Sequence, residues 1–371
     1  MSDSDGVPAT SSPTATAPST IRLRVIPSTR RRVAAAVWQS LEADIGAPGL
    51  MCSWAWTSTW LEHYGDAVDH RFVIGERDGL PRAIALVTYG AGRRWRPRTV
   101  HVGTAGEPAG ASVFVERNRL LAAPEDRRAF AEALAGSLRR DRNWDRLLLD
   151  GFVPADAADL VTALPAAQVR TEECPITDLT VGDDVLDGLD GSQRRRVQRT
   201  LRAFGPLDVE WATTGEQARS ILDELVDLHQ RHWRERGEPG AFASRRFAAF
   251  HRTLVARLLP RRQVSLVRVS RGDETVACLY GLIEGGRLLF YQGGLRRYDD
   301  NKLRAGHAAH VLAMRACRER GITHYDFLAP ATRYKQELAN TSERLVWATL
   351  ERRTWRTRAA EAAQVVRRRS S

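Results

Sequence analysis

The second half of the chain alternates between extended and helical patterns of apolar residues. DVEWATT (208–214) has the alternation of a strand, and ARSILDELVDLHQRHWRERG (218–237) repeats apolar residues at helical spacing up to Gly237. SRRFAAFHRTLVARLL predicts another helix, and QVSLVRVSRGDETVACLYGLIEGGRLLFYQGG predicts three antiparallel strands with turns at RGDE and EGG. A helix ending at Gly321, a strand in ITHYDFLAP, a short helix in ATRYKQELA and a strand in ERLVWATLERR complete the series.

The first half repeats this order of elements less distinctly. IRLRVIP predicts a strand, AAAVWQSLEADIG and WAWTSTWLEHYG predict helices, and HRFVIGERDGLPRAIALVTYG predicts a hairpin. A helix in EDRRAFAEALAGSLRR and a strand in NWDRLLLDGF parallel MRACRERGITHYDFLAP of the second half. We therefore predict an α/β protein with two copies of one unit, although any α/β protein offers hairpins and helices in some order.

The predicted organisation has two domains between two tails. The first unit spans residues 21–182 and the second spans 183–352, with the junction near VGDDVLDGLDGSQRRR. Residues 1–20 are rich in Ser, Thr, Pro and Ala and predict a disordered tail, not a signal peptide. Residues 353–371 predict a basic C-terminal tail. The apolar runs fall short of the roughly 18 residues of a membrane span, so no transmembrane segment is predicted.

Composition adds a strong positive charge to this outline. The 371 residues include 56 Lys plus Arg, and the formal net charge is +11 at pH 7, which makes a polyanion-binding surface one interpretation. The arginines are dispersed, however, and their clusters, such as RRWRPR (93–98), are not interleaved with a nucleic-acid motif, which favours a solvated surface. Four cysteines lie too far apart for a CxxC pair and predict buried thiols in a reducing cytoplasm.

The usual hydrolase, nucleotide and metal motifs do not occur. GxSxG, a Walker loop and GxGxxG are absent, and the nine histidines lack metal-ligand spacing. The lysines are only Lys302 and Lys335. In a chain that otherwise uses arginine, a retained lysine indicates a place where a primary amine is needed.

One stretch of the second half favours binding of a phosphate-bearing carrier. LRAGHAAHV places Gly306 where a loop enters a helix, so that free N–H groups and the positive helix end can receive a phosphate. The strand before this helix ends with Tyr291 and Gln292, and the strand after it carries Asp326. A strand edge beside such a helix suits a carrier-bound acyl group, whose carbonyl and pyrophosphate need hydrogen-bond donors.

These motifs resemble a known family. The order of elements resembles the Gcn5-related N-acetyltransferase (GNAT) fold. YDFLxxxxxYK (325–335), FYQGG and GSQRRRVQRTLR look like the CelD/BcsL-type acetyltransferases of the Acetyltransf_6 group, relatives of the Fem aminoacyltransferases. LMCSWAWTSTWLEHYGD is similar to the Trp-rich helix of that family, and the resemblance covers residues 20–352. Residues 329–331 are Ala-Pro-Ala where many members carry an Arg-Gly-Asp-type triplet, so the substrate does not carry over.

The resemblance implies tandem GNAT-like domains, with mixed central sheets flanked by helices, and an acyl-CoA donor such as acetyl-CoA bound by the second domain without a metal. The residues implied in donor binding are Tyr291, Gln292, Leu303, Arg304, Ala305, Gly306 and His307. Lys335, beside Tyr334, is expected to stabilise the oxyanion. Its alternative is a surface lysine paired with Glu337 or Glu343.

Further residues are expected to handle protons and the acceptor. Asp326 is the candidate base, its alternative being a loop cap or a partner of Arg304. Tyr298 and Tyr334 are candidates to protonate the leaving thiolate, with Tyr298 also facing the substrate. His232 and Trp233 are expected at the acceptor groove, or else in helix packing.

Two other segments have alternatives of the same kind. Trp54, Trp56 and Trp60 are expected mainly in the core, although exposed tryptophans suit a sugar face. The basic stretch 194–202 is expected to be a solvated linker helix, with a nucleotide-sugar or lipid surface as its alternative.

The predicted function is acyl transfer, N-acetylation above all, from acyl-CoA to an amine or hydroxyl of a small molecule, a saccharide or a cell-envelope precursor. Aminoacyl transfer from tRNA is the alternative that the charge supports, although the long helical arm of many Fem enzymes is not evident. A non-catalytic tandem-domain binding module is another alternative. Peripheral membrane contact stays open.

Overall fold

Helix starts in the second unit follow from local capping chemistry. Thr214 and Gln217 form a reciprocal capping box at the start of one helix. The Asp190 carboxylate accepts hydrogen bonds from the Ser192 and Gln193 N–H groups at the start of another. These caps define where two of the helices that cover the sheet begin.

The computed structural model describes residues 20–46, 48–90 and 95–369, with side chains described through residue 363. The strands are β1 (Arg22–Pro27), β2 (Asp69–Arg77), β3 (Leu80–Tyr89), β4 (Thr99–Val102), β5 (Leu121–Ala122), β6 (Arg146–Phe152), β7 (Gln168–Asp178), β8 (Asp208–Trp211), β9 (Val264–Arg271), β10 (Glu274–Glu284), β11 (Arg287–Leu295), β12 (His324–Asp326) and β13 (Thr341–Glu351). The α-helices are α1 (Arg31–Ile45), α2 (Trp54–Tyr64), α3 (Arg127–Arg140), α4 (Pro154–Ala163), α5 (Gly191–Phe204), α6 (Gly215–Glu235), α7 (Arg245–Leu258), α8 (Ala305–Glu319), α9 (Arg333–Leu338) and α10 (Trp355–Arg369).

The two predicted units share one mixed sheet. Its order is β1-β2-β3-β4-β6-β13-β7-β12-β11-β10-β9-β8, with β5 beside β3. β4 with β6 and β11 with β12 are parallel pairs, whereas the other pairs are antiparallel. The tandem α/β fold predicted from the repeated element order is present.

The strand β13 crosses from one unit to the other. It lies between β6 and β7, so Thr349 pairs with Leu148 on one side and Gln168 on the other. The predicted boundary between residues 182 and 183 falls in the loop between β7 and α5 and stays a prediction. A cut there would separate β13 from both of its neighbours.

The terminal segments differ in how far they are described. The predicted disordered tail lies outside the described residues except for Thr20. The predicted basic C-terminal tail is helical as far as Arg369, as α10. Thr357 of this helix is buried, and its hydroxyl donates to the Arg352 carbonyl at 2.8 Å, a local contact at the start of the helix.

Three apolar layers cover the sheet. One core under α1, α2, α6 and α7 spans both units. On the other face, α3 and α4 cover the first unit, and α5 and α8 cover the second. Trp56 and Trp60 are fully buried, as the core interpretation of the Trp-rich helix expects, and Trp54 is half-buried. The Trp56 ring meets Phe250 of α7 edge-on at 5.0 Å, so this helix joins the two units.

We expect the two units to unfold together on heating. Because β13 is bonded to β6 and β7 and one core spans both units, neither unit can open without exposing the sheet of the other. Differential scanning calorimetry of the full chain should give one transition whose calorimetric and van't Hoff enthalpies agree. Two resolved transitions would contradict the shared sheet and core.

Candidate active site

The candidate site lies where the sheet of the second unit opens. β11 and β12 pair over three residues, ending at Leu289 with Asp326. β11 continues to Leu295, whereas the chain after β12 leaves the sheet once the Phe327 N–H has donated to the Pro175 carbonyl at 3.0 Å. Leu328 turns the chain with φ of 59°. A gap therefore opens between β11 and β7.

A cavity with two adjoining parts fills this opening. The larger part has a volume of about 980 Å³ and the smaller about 530 Å³. Both are lined by Phe114, Phe247, Gln292 and Tyr334. Because Phe114 belongs to the first unit and the other three to the second, the cavity is built by both halves of the chain.

The larger part contains the predicted acceptor-side residues. His232 and Trp233, at the end of α6, both line it. The Trp233 indole N–H donates to the Nε2 atom of His229 at 3.0 Å, which fixes the indole ring against the helix. Burial lowers the pKa of His232, so the neutral imidazole is favoured near neutral pH. Both residues thus lie in the cavity, and their expected contact with the acceptor stays a proposal.

Lys335 lies at the floor of the smaller part. Its side chain is 8% exposed, and Nζ donates to the Leu328 carbonyl at 2.9 Å and the Ala329 carbonyl at 3.2 Å. Burial lowers the pKa of Lys335, and Glu116 opposes that shift. The ammonium is thus a compact hydrogen-bond donor beside the opening, and its two hydrogen bonds hold the loop after β12.

The alternative surface pairing of Lys335 is wrong. The Glu337 carboxylate accepts a hydrogen bond from the Arg196 guanidinium at 2.5 Å and contacts His307 Nε2 at 2.9 Å. Glu343 pairs with Arg117 at 2.7 Å and with Arg287 at 2.8 Å. Both glutamates are therefore engaged elsewhere.

Asp326 requires a correction. Its carboxylate is fully buried, pairs with Arg117 at 3.2 Å and Arg287 at 3.1 Å, and accepts the Leu328 N–H at 2.8 Å. It does not line either part of the cavity. The proton-accepting role expected from sequence is not supported, and neither is the predicted pairing with Arg304. Of its alternatives, the loop cap describes its position.

The two candidate tyrosines are in different places. The Tyr334 ring lies in both parts of the cavity and stacks on His310 at 5.8 Å. Burial raises the pKa of Tyr334 to about 12, so its hydroxyl is a proton donor at neutral pH. The Tyr298 hydroxyl instead donates to Glu274 at 3.1 Å, and its ring packs on Phe204, outside the cavity lining. The expected substrate contact of Tyr298 is therefore corrected to a packing role.

The start of α8 has no side-chain cap. Arg304 precedes it without a side-chain cap, and Leu303 donates its N–H to the Asp300 carbonyl at 3.0 Å. A Cβ atom at Gly306 would meet only Leu295 within 4 Å, at 3.3 Å. The N–H groups of the first helical turn have no partner within the helix. Leu295 lines the larger part of the cavity, whereas residues 303–307 line neither of its two parts.

Positive side chains converge on the same helix start. Glu337 contacts Arg196, Arg333 and His307, with Arg304 at 3.8 Å. Burial alone would raise the pKa of Glu337, but hydrogen bonds from His307 and Arg196 hold it at about 2. The ionised carboxylate organises guanidiniums whose remaining N–H groups suit an anionic ligand.

The donor-side strand presents Tyr291 and Gln292 to the opening. Gln292 lines both parts of the cavity. Tyr291 lines the smaller part, and its hydroxyl donates to the Phe114 carbonyl at 3.4 Å. The Tyr291 ring packs on His251 at 4.7 Å, so this residue also ties β11 to α7.

The first unit has a different arrangement at its corresponding helix. α3 starts after Asp126, a buried carboxylate that pairs with Arg77 at 2.5 Å and Arg82 at 2.7 Å. A phosphate would be repelled by this carboxylate. Neither of these two helix starts has a side-chain cap, but α8 begins after an arginine whereas α3 begins after a carboxylate, so only the α8 start suits an anionic ligand.

Sequence reasoning missed Glu116. It lies in the irregular segment between β4 and β5 and lines the smaller part of the cavity with Lys335. Its Oε2 atom accepts the Ala329 N–H at 2.7 Å. Burial raises the pKa of Glu116 to about 7, against the opposing effects of that hydrogen bond and of Lys335. No periodic pattern or motif marks this position in the sequence.

Comparison with known proteins defines the class. The Acetyltransf_6 family model, an acetyltransferase (GNAT) domain, matches residues 191–336. The second unit is therefore an acetyltransferase (GNAT) domain, and the protein is an acyltransferase. No curated protein sequence matches the chain.

Solved structures support the fold. FemX has a TM-score of 0.55 at 12% identity, with 85% of this chain and 95% of that chain covered. The C-terminal domain (DUF2156) of a putative lysylphosphatidylglycerol synthetase from Agrobacterium fabrum gives 0.53 at 13%, with coverage of 86% and 92%. L-PGS from Bacillus licheniformis gives 0.50 at 13%, with coverage of 91% and 97%. These similarities extend over both units, which confirms the predicted relation to the Fem-type fold.

Two further findings concern ions and membranes. Within the described ranges, no group of three or more His, Cys, Asp or Glu side chains is placed to hold a metal ion. None of the helices in the same ranges combines the length and apolar character that crossing a membrane requires.

The Asp326→Asn variant separates the structural role from the catalytic expectation. Loss of the charge between Arg117 and Arg287 should lower the free energy of unfolding by about 3 kcal/mol, measured by urea denaturation. The control Asp273→Asn, in an exposed turn, should change it by less than about 0.5 kcal/mol. Undiminished stability of Asp326→Asn, with lost catalysis, would restore Asp326 as the base.

Proposed function

We propose that the protein transfers an acyl group from acyl-CoA to an amine of a small molecule or saccharide, as a CelD/BcsL-type enzyme of the cytoplasm. One observation carries the proposal: the ammonium of Lys335 lies in a cavity where β11 and β12 separate, and Leu295, which lines the larger part of that cavity, lies beside Gly306 at the uncapped start of α8. Four free, buried cysteines support a reducing compartment.

The donor fits this opening by its chemistry. The N–H groups of Ala305, Gly306 and His307 would hold the pyrophosphate, helped by the nearby guanidinium of Arg304. Among the residues that the structure describes, no strand pairs with β11 beyond Leu289 on the β12 side, so its backbone groups there are available to the pantetheine arm. The thioester would then reach the part of the cavity that holds Lys335.

The side chains around Lys335 supply the chemistry of acyl transfer. The ammonium would stabilise the negative charge that develops on the carbonyl oxygen, since a buried donor acts strongly in a site of low dielectric constant. The Tyr334 hydroxyl would donate a proton to the leaving thiolate. Both groups come from the same short helix, so α9 fixes their spacing.

The acceptor would enter through the larger part of the cavity. Trp233 and Phe247 form its wall, and Phe114, which is 68% exposed, lies at its rim. Aromatic faces of this kind suit the apolar face of a sugar ring, and the hydroxyl-binding groups Ser112 and His232 lie beside them. This wall supports a saccharide amine as the acceptor.

Aminoacyl transfer from tRNA is less well supported. The positive net charge is compatible with it. However, α6 and α7 are joined by a connection of nine residues, 236–244, which leaves no inserted helical arm between them. We therefore take acyl-CoA as the donor.

The Gly306→Trp variant tests the donor site. The indole would fill the space at the start of α8, so calorimetry should show acetyl-CoA binding at least about tenfold weaker than in the wild type. Gly215→Trp is the control at another helix start, that of α6, where a Cβ would meet nothing within 4 Å, and it should bind acetyl-CoA as the wild type does. If the wild type does not bind acetyl-CoA, or Gly306→Trp binds it normally, the proposed donor site is wrong.

The Lys335→Arg variant tests the oxyanion role. A planar guanidinium cannot reproduce the compact donor, so thiol release from acetyl-CoA with methylamine should fall by about 100-fold. Acetyl-CoA affinity should be retained, because the helix start that binds the phosphates is unchanged. Thermal unfolding identifies any loss caused by the loop contacts to Leu328 and Ala329. Normal turnover would remove the assigned role.

A further inference from the structure

We propose that Glu116, contributed by the first unit, accepts the proton of the acceptor amine during acyl transfer. This inference rests on the proposed function and adds a catalytic residue to it. The active site of the second unit is then incomplete without the first unit.

Position is the first argument. Glu116 and Lys335 line the same 530 Å³ part of the cavity, together with Tyr334. The Ala329 N–H donates to Oε2 of Glu116 at 2.7 Å, which orients the carboxylate toward the loop that follows β12. A small amine held in this part of the cavity is within reach of both the carboxylate and the ammonium.

The backbone around the cavity is the second argument. Arg117 has φ of 58° and Leu328 has φ of 59°, a left-handed conformation that costs non-glycine residues about 1 kcal/mol or more. The ion pairs of Arg117 with Asp326 and Glu343 hold the first of these turns. As a result, Glu116 lines the cavity while the next side chain points to the buried Asp326.

The charged surroundings are the third argument. The titratable and charged groups that face Glu116 or line its part of the cavity are Lys335, Tyr334, Asp326, Arg117, Cys174, Tyr291, Arg170 and Glu172. Arg170 and Glu172 pair with each other, and Asp326 is held by its arginines. Within this set, Glu116 is the carboxylate whose pKa, raised by burial to about 7, lets it both accept and release a proton near neutral pH.

The proton balance of the step is simple. The acceptor nitrogen forms a bond to the thioester carbon, and the carbon–sulfur bond breaks. The nitrogen loses one proton to the Glu116 carboxylate, and the departing thiolate gains one from the Tyr334 hydroxyl. Solvent then removes the proton from Glu116 and restores that of Tyr334, leaving an amide and free CoA thiol.

The Glu116→Gln variant tests the assignment. The amide oxygen can still accept the Ala329 N–H, but the side chain cannot take a proton. Thiol release from acetyl-CoA with methylamine, which is small enough to enter whatever the natural acceptor is, should fall by about 100-fold. Acetyl-CoA affinity by calorimetry should be unchanged. If the wild type does not bind acetyl-CoA, the proposed function itself is wrong. If Glu116→Gln turns over at the wild-type rate, only the role of Glu116 is wrong.

The pH dependence distinguishes a base from a structural residue. The ratio of wild-type to Glu116→Gln rates cancels the ionisation of methylamine and should rise up to about pH 7 and then level off. A ratio independent of pH, or no thiol release by a wild type that binds acetyl-CoA, would contradict the assignment.

A matched control comes from the same segment of the first unit. Glu107 is also a carboxylate with a pKa raised by burial, but it accepts the Trp60 indole N–H at 2.6 Å and does not line the cavity. Glu107→Gln should retain the wild-type rate per folded molecule. If Glu116→Gln does not fold, the wild type alone tests the proposal. Its rate, divided by the concentration of neutral methylamine, should depend on pH with a midpoint near 7, and a pH profile without that midpoint contradicts the proposal.

Discussion

The buried ion pairs of Asp326 hold the site together. This carboxylate lies at the end of β12, where it joins Arg117 of the first unit to Arg287 of β11. Because removing one partner of a buried ion pair leaves the others uncompensated, the three residues depend on one another. They fix the point at which β12 stops and the sheet opens, and so determine where the cavity lies.

The shared sheet and core bring part of the first unit to the cavity of the second unit. β13 lies between β6 and β7, and the core under α2 and α7 is common to both units. The segment between β4 and β5 is thereby held against the loop after β12. The first unit has an acidic helix start at Asp126, and it contributes Phe114 and Glu116 to the cavity of the second. We interpret the first unit as a contributor of the acceptor side and not as a second donor site.

Sequence patterns predict much of this architecture because periodicity reports on burial along a single element. The long helices, the hairpins and the helix start at Gly306 were all accessible in that way. Pairings between distant segments were not. Asp326 was interpreted as a base because Arg117, which lies 209 residues away in the chain, leaves no local signal. Glu116 was missed for the same reason, since its partner Ala329 is 213 residues distant.

For Lys335, the sequence indicated the residue but not the groups that surround its ammonium. Its rarity in an arginine-rich chain marked it, and the structure places its ammonium on the carbonyls of Leu328 and Ala329 at the cavity floor.

The most direct test of the account is a crystal structure with acetyl-CoA bound. The account predicts the diphosphate on the N–H groups at the start of α8 and the thioester in the part of the cavity shared by Lys335 and Glu116. A donor bound against the first unit, or a thioester remote from these two side chains, would contradict it.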